Sequence, residues 1–220
     1  MWESQKQEVL KAAQQMSQKG FVVGTSGNVS LHFRDSEGRD LVAITPSGRD
    51  YDTMKPNDIV MVDLEGQRVE GELTPSIETM LHTGIYKVRK KVNAIIHTHP
   101  IYGSIIAVAG LEIPAILDDQ VTQIGGEIRV APYALSGSPE MTGNVIAALG
   151  PRNAVLLANH GAISVGRNMR EAFTMCQLLE KTARIYVFAL GLGKINLVPA
   201  DAAEVEKAYF KAVYGESQTD

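Results

Sequence analysis

The segment Ala94-Ile95-Ile96-His97-Thr98-His99-Pro100 is an apolar run that ends in two histidines two residues apart. In a strand, the period of two sets His97 and His99 on one face, about 6.6 Å apart along the chain, where both imidazoles can reach one ion. Pro100 favours extended backbone at His99 and stops the strand there. Both rings then sit at its carboxyl end, where open α/β sheets hold ligands. Ala154-Val155-Leu156-Leu157-Ala158 repeats the pattern and is followed by Asn159-His160-Gly161, a third strand-end imidazole with a glycine that lets backbone approach closely. Three histidines are the minimum for a catalytic zinc, which keeps a further position open to water or substrate. Glu78 adds a carboxylate, as an occasional fourth ligand or as the base that metal chemistry needs. Each residue alone also has an ordinary reading: partly exposed histidines at strand ends, and a glutamate favoured by the dipole of a helix start. Periodicity by itself does not bring the four together.

The elements that must position these residues follow from pattern and turn chemistry. Residues 4–19 carry Val9, Leu10, Ala13 and Met16 at helical spacing, and Gly20 can close that helix. The turn 24–28 leads into a strand at 29–34, a hairpin turn at 35–39, a strand at 41–44 and a second small-residue turn at 45–48. A further hairpin is expected from 59–63 and 67–70. Ser76 is a plausible cap for a helix over 77–90 with the stripe Ile77, Leu81, Ile85 and Val88; His82 shares the face of Glu78. Beyond the central strand, a helix at 102–108 ends at Gly110, and Asp118-Asp119-Gln120 reads as a solvated helix start. A strand at 128–130, a helix at 140–149, a hairpin partner at 162–165 and a long helix at 169–189 follow. The last helix, 202–214, carries Val205, Ala208, Tyr209 and Ala212. The turns rich in Gly, Ser and Thr can present N–H groups and hydroxyls to an anion, although neither matches a dinucleotide fingerprint or a P-loop.

Composition narrows the classes. With 220 residues, 45% hydrophobic and 21% charged, the chain is expected to form one domain over residues 1–220. No segment is apolar and uncharged for long enough to span a bilayer. The first residues include Glu3, Lys6 and Glu8 and lack an apolar signal core, so a cytoplasmic protein without membrane association is expected. A net charge of −4 argues against a nucleic-acid surface. Cys176 is the only cysteine, which excludes an internal disulfide and a thiolate zinc cluster, so any metal is held by His, Asp or Glu.

With these residues in hand, the chain resembles the class II aldolase/adducin family, and within it the sugar-phosphate aldolases. The likeness rests on Gly24-Thr25-Ser26-Gly27-Asn28-Val29-Ser30, Ile44-Thr45-Pro46-Ser47-Gly48, Pro75-Ser76-Ile77-Glu78, His97-Thr98-His99-Pro100, Ala131-Pro132-Tyr133 and Asn159-His160-Gly161. It spans residues 9–214. The resemblance implies an α/β fold with a mixed, largely antiparallel central sheet flanked by helices in three layers. It implies that His97, His99 and His160 hold zinc, and that Glu78 is the catalytic acid/base and an occasional further ligand. Thr25, Gly27, Asn28, Ser47, Gly48 and Ser76 match the cradle for a substrate phosphate. A homotetramer with sites between subunits is implied, with Tyr214 reaching into the neighbouring site.

The implied reaction is cleavage of a ketose 1-phosphate, of the fuculose type, to dihydroxyacetone phosphate and an aldehyde by way of a metal-stabilised enediolate. Mn2+ or Co2+ could replace Zn2+ on three imidazoles. Burial is expected to raise the Glu78 pKa toward the working range. Two departures stand out. Ile77 replaces a second serine of the phosphate site, and the family's tyrosine after Ile113-Pro114-Ala115-Ile116 has no match in Leu117-Asp118-Asp119-Gln120, which leaves the proton donor to the aldehyde oxygen unassigned. Epimerases, dehydratases (of methylthioribulose phosphate) and decarboxylases share the fold. The epimerases carry an aspartate at the position of Glu78, and the non-enzymatic adducin heads lack the histidines. A metal-dependent barrel hydrolase would need a longer chain and more ligands.

Overall fold

A computed structural model describes residues 1–215. Its centre is an eight-stranded sheet in the order β4-β3-β2-β1-β5-β8-β7-β6. The strands are β1 Asn28–Arg34, β2 Asp40–Ile44, β3 Val60–Asp63, β4 Arg68–Glu70, β5 Ala94–Thr98, β6 Val130–Ala131, β7 Ala154–Leu157 and β8 Gly161–Gly166. Every pairing among them is antiparallel except β6 with β7. The helices are α1 Glu3–Gln18, α2 Thr79–Val88, α3 Ile101–Ala109, α4 Pro139–Leu149, α5 Met169–Gly191 and α6 Ala200–Tyr214. Among the described residues no helix is long and apolar enough to cross a membrane.

Strand alternation divides the core into two sides. Val29, Leu31, Leu41, Ala43, Met61 and Ile96 pack with α1 and the start of α5. Val42, Ile44, Val60, Val62, Ile95, Val155, Leu157 and Ile163 pack with α2 and α4. The face of α3 and α5 is filled by Ala154, Leu156 and Ala162. This three-layer arrangement is the mixed, largely antiparallel sheet expected. His97 follows Ile95 by two residues, so its ring lies on the side of α2, the helix that begins beside Glu78.

Several local expectations are corrected. Helix α2 begins at Thr79, not residue 77, because Pro75 is paired in an isolated bridge with Pro46 and residues 76–78 form a turn before the helix. Ser76 therefore does not cap it; Ser76 Oγ accepts the N–H of Glu78 at 3.2 Å. The buried stripe of α2 is Leu81, His82, Ile85 and Tyr86, while Ile77 and Val88 are exposed. The expected strand at 128–130 is displaced to Val130–Ala131, with Ile128 bridging Ile113. On α6 the inward residues are Ala203 and Phe210, and Val205 and Tyr209 face outward, because α6 lies over a π-helical turn, Gln120–Ile124, and Phe210 fills the space above Gly125.

Candidate metal and sugar-phosphate site

His97 is the fourth residue of β5 and is 1% exposed. Its Nδ1 donates to the carbonyl of Ala162 at 3.0 Å, and because a carbonyl only accepts, the ring proton of the neutral form is fixed on Nδ1. The Nε2 lone pair then points at His99 Nε2, 2.9 Å away. His160 sits in the turn joining β7 to β8, where Asn159 takes a left-handed φ of 56° and the His160 N–H returns to Leu157 O at 3.1 Å. A Cβ at Gly161 would collide with Thr98 O and lie 2.8 Å from His99 Cδ2, so only glycine lets this turn close on the other two rings. The ligand atoms of the three histidines lie within 4.8 Å of one another.

The Glu78 carboxylate closes the group. Its Oε2 lies 3.2 Å from His97 Nε2, and its Oε1 lies 3.4 Å from His160 Nε2. The Asn28 amide donates to Oε2 and the Ser136 hydroxyl to Oε1, each at 2.7 Å. Burial pushes the Glu78 pKa up most strongly, but His97, Ser136, Asn28 and His160 together outweigh it and hold the carboxyl at about 2. The expected rise is thus reversed, because the carboxylate is buried among groups that favour its charge. Burial, followed by the neighbouring imidazoles, pushes His99 down to about 4, and burial likewise lowers His160.

The donor set fits a divalent ion. In its neutral form His97 turns the Nε2 lone pair toward a second imidazole at 2.9 Å and the Glu78 carboxylate at 3.2 Å, a cluster of nitrogen and oxygen donors that one cation among them would satisfy. His99 and His160 are biased to the neutral form that coordination needs.

Beside the imidazoles opens a cavity of about 260 Å³ whose other wall is made of Thr25, Gly27, Asn28, Ser47, Gly48 and Ser76, the residues expected to cradle an anion. The three loops are stitched together. Tyr51 donates to Gly27 O at 2.6 Å, Val29 N–H to Thr45 Oγ1 at 3.1 Å, Ser76 N–H to Thr45 O at 3.1 Å and Ser47 N–H to Thr74 O at 2.9 Å. Ser47 and Ser76 consequently bring hydroxyls to the cavity and not free backbone donors. Asn28 spends its amide on Glu78, while its buried Oδ1 has no partner.

Other expectations fall elsewhere. Tyr214 packs on Phe210 at 5.3 Å between ring centroids, under the Arg167 guanidinium, and does not line this chain's cavity. Gln120 is fully buried, accepting from Ile116 N–H and donating to Pro114 O and Gly126 O, and Asp119 pairs with Lys181 at 2.5 Å. His82 is a core histidine, 2.6 Å from Ser30 Oγ. Sequence reasoning missed Ser136, which lies in the loop after the Ala131-Pro132-Tyr133 motif; its proximity to that motif was the one available signal.

The profile of the family described as "Class II Aldolase and Adducin N-terminal domain" matches residues 7–187. The chain is 36% identical, over 92% of its length and 93% of the relative's, to a 5-deoxy-D-ribulose 1-phosphate aldolase of Bacillus thuringiensis serovar kurstaki. It is 34% identical to a 5-methylthioribulose-1-phosphate/5-deoxyribulose-1-phosphate aldolase of Rhodospirillum rubrum, over 95% of this chain and 91% of that one. A solved L-fuculose 1-phosphate aldolase superposes with a TM-score of 0.88 at 36% identity, covering 94% of this chain and 96% of its own. With fold and sequence in agreement over nearly the whole length, the chain belongs to the class II aldolase/adducin family.

Proposed function

We propose that this protein is a metal-dependent aldolase that cleaves a ketose 1-phosphate to dihydroxyacetone phosphate and an aldehyde. The observation that carries the reading is the convergence of His97, His99 and His160 with the ionised Glu78 carboxylate at one end of a polar cavity. The three imidazoles would hold the ion, zinc in this reading, with manganese or cobalt acceptable to the same donors. When bound, it supplies a Lewis acid for charge that builds on the substrate's carbonyl oxygen as the carbon–carbon bond breaks.

The chain's own residues do the rest. The hydroxyls of Thr25, Ser47 and Ser76 and the backbone at Gly27 and Gly48 receive the phosphate, so that binding energy is converted into orientation of the reacting carbons. Glu78 gives a proton to the carbon beside the carbonyl in cleavage and removes it in the reverse direction. The Asn28 amide, donating to Oε2, holds that carboxylate in place. Tyr214, remote from its own cavity, would serve a neighbouring subunit of a homotetramer. A charged sugar phosphate does not diffuse across a bilayer, which supports action in the cytoplasm.

The names of the relatives support 5-deoxyribulose, methylthioribulose and fuculose 1-phosphates as the first sugars to try. Ile77, exposed at the cavity at the position where the fuculose enzyme is expected to carry a second serine, fits an anion site with one hydroxyl fewer. The test is dihydroxyacetone phosphate release from a panel of these esters, with epimerised, dehydrated and decarboxylated products followed in parallel. Release from at least one ester is expected; another product in its absence would favour the epimerase, dehydratase or decarboxylase relatives.

A further inference from the structure

The aldolase reading leaves one proton unaccounted for: the hydroxyl on the carbon that becomes the aldehyde must lose its hydrogen. Residues 117–120 do not line the cavity: Gln120 is committed to backbone groups, Asp119 to Lys181, and Asp118 lies beside Glu206. Ser136 is placed otherwise. It lies in the loop between β6 and α4, is exposed, lines the cavity and donates to Glu78 Oε1 at 2.7 Å.

A carboxylate oxygen only accepts, so the single proton of Ser136 is directed at Glu78 and the oxygen's lone pairs are left for another donor. The loop is held in place from both sides. Gly137 has a φ of 76°, and a Cβ there would lie 2.9 Å from the carbonyl oxygen of Ile77, the residue before Glu78. Ser138 caps α4 by accepting the N–H of Met141 at 3.1 Å, and its own N–H donates to Leu135 O.

We propose that Ser136 is a catalytic residue, the hydroxyl that carries the substrate's proton from oxygen to Glu78. This rests on the aldolase reading and deepens it. In cleavage, the substrate O–H gives its proton to Ser136 Oγ while the proton of Ser136 moves to Glu78 Oε1. The freed oxygen pair forms the C=O of the aldehyde, and the carbon–carbon pair is left on the carbon beside the ketone. Glu78 then delivers a proton to that carbon. One proton leaves oxygen and one arrives at carbon, with no oxidant or further reactant. The same carboxylate thus serves both transfers.

The experiment separates the two transfers in the metal-loaded, full-length enzyme. Cleavage of a ketose 1-phosphate needs both, whereas exchange of the carbon-bound hydrogen of dihydroxyacetone phosphate with D2O, read by NMR, needs Glu78 and no aldehyde oxygen. Ser136→Ala is expected to slow cleavage about 100-fold or more while exchange stays within about threefold of wild type. Ser136→Thr, which keeps the hydroxyl, is expected to recover part of the cleavage; metal content is expected to be unchanged in both. Parallel loss of cleavage and exchange would reduce Ser136 to holding Glu78, and undiminished cleavage would remove it altogether; either overturns the proposal. Wild-type enzyme that neither cleaves nor exchanges would overturn the aldolase reading itself, and this proposal with it.

Discussion

The ring of His97 is locked to the backbone of Ala162 across the β5–β8 ladder, Nδ1 donating to the carbonyl at 3.0 Å. That bond fixes which nitrogen is available inside the cavity, and it belongs to the sheet, so the site is prepared by the fold before any ion arrives. A metal that binds the folded chain and not the unfolded one stabilises by mass action. Chelation is therefore expected to lower the melting temperature, and at a thousandfold excess of ion over its dissociation constant the stabilisation lost is about 4 kcal/mol. His160→Ala is expected to abolish stoichiometric metal and to make melting insensitive to chelator. Metal analysis with paired melts checks both, and a His160→Ala protein that keeps one ion per chain would remove that ring from the ligand set.

His82 gives a pH dependence separate from catalysis. Burial pushes its pKa down to about 3 from an ordinary 6.5, against a weaker opposing pull from Glu78. The unfolded chain takes up a proton here below 6.5 and the folded chain does not until about 3, so stability is complete above 6.5 and falls as pH drops through that window. The slope from this residue approaches about 1.4 kcal/mol per pH unit. His82→Gln is expected to be less stable at neutral pH, by roughly 1–3 kcal/mol for the lost bond to Ser30, yet to lose stability less steeply on acidification. Denaturant titrations at neutral and mildly acidic pH measure the slopes; equal slopes would contradict the assignment.

Gly27 is the pivot of the cavity wall that faces the imidazoles. Its φ is 74°, and a Cβ would lie 2.6 Å from the carbonyl oxygen of His97. Gly27→Ala is expected to cost more than about 2 kcal/mol, from left-handed backbone together with forced displacement of β5, which is roughly 4–8 °C in melting temperature for a chain of this size. Because the displaced atom belongs to His97, metal affinity is expected to fall as well. Calorimetry and metal titration on the same variant check the pair. A stable variant with unaltered metal binding would show that the loop relaxes without cost.

How much of this was legible in the sequence depends on the range of the interaction. His97 and His99 were readable because a period of two and a following proline act over neighbouring residues, and His160 because a strand end and a glycine do the same. The sheet was readable from equally local signals: alternation in residues 29–34, and short apolar runs at 41–44 and 59–63 set off by turn residues. The start of α2 was misplaced because its cause is the bridge of Pro75 to Pro46, distant in the chain. The face of α6 was misjudged because Phe210 is drawn inward by the bare backbone of Gly125, while Val205 and Tyr209 stay 72% and 59% exposed. Ser136 was invisible because its partner lies 58 residues away and the loop that carries it has no periodicity. The Glu78 pKa shift was expected in the wrong direction for a related reason: burial can be guessed from a single chain, but four compensating neighbours cannot.

The central claim is that one metal centre and one carboxylate together cleave a ketose 1-phosphate, and the most direct measurement is the rate of dihydroxyacetone phosphate release by the zinc-loaded enzyme, the chelated enzyme and zinc-loaded Glu78→Gln. Release from the loaded enzyme, abolished by chelation, restored by zinc and reduced about 10²–10⁴-fold by Glu78→Gln is the predicted result. Release that survives both chelation and the substitution would contradict it.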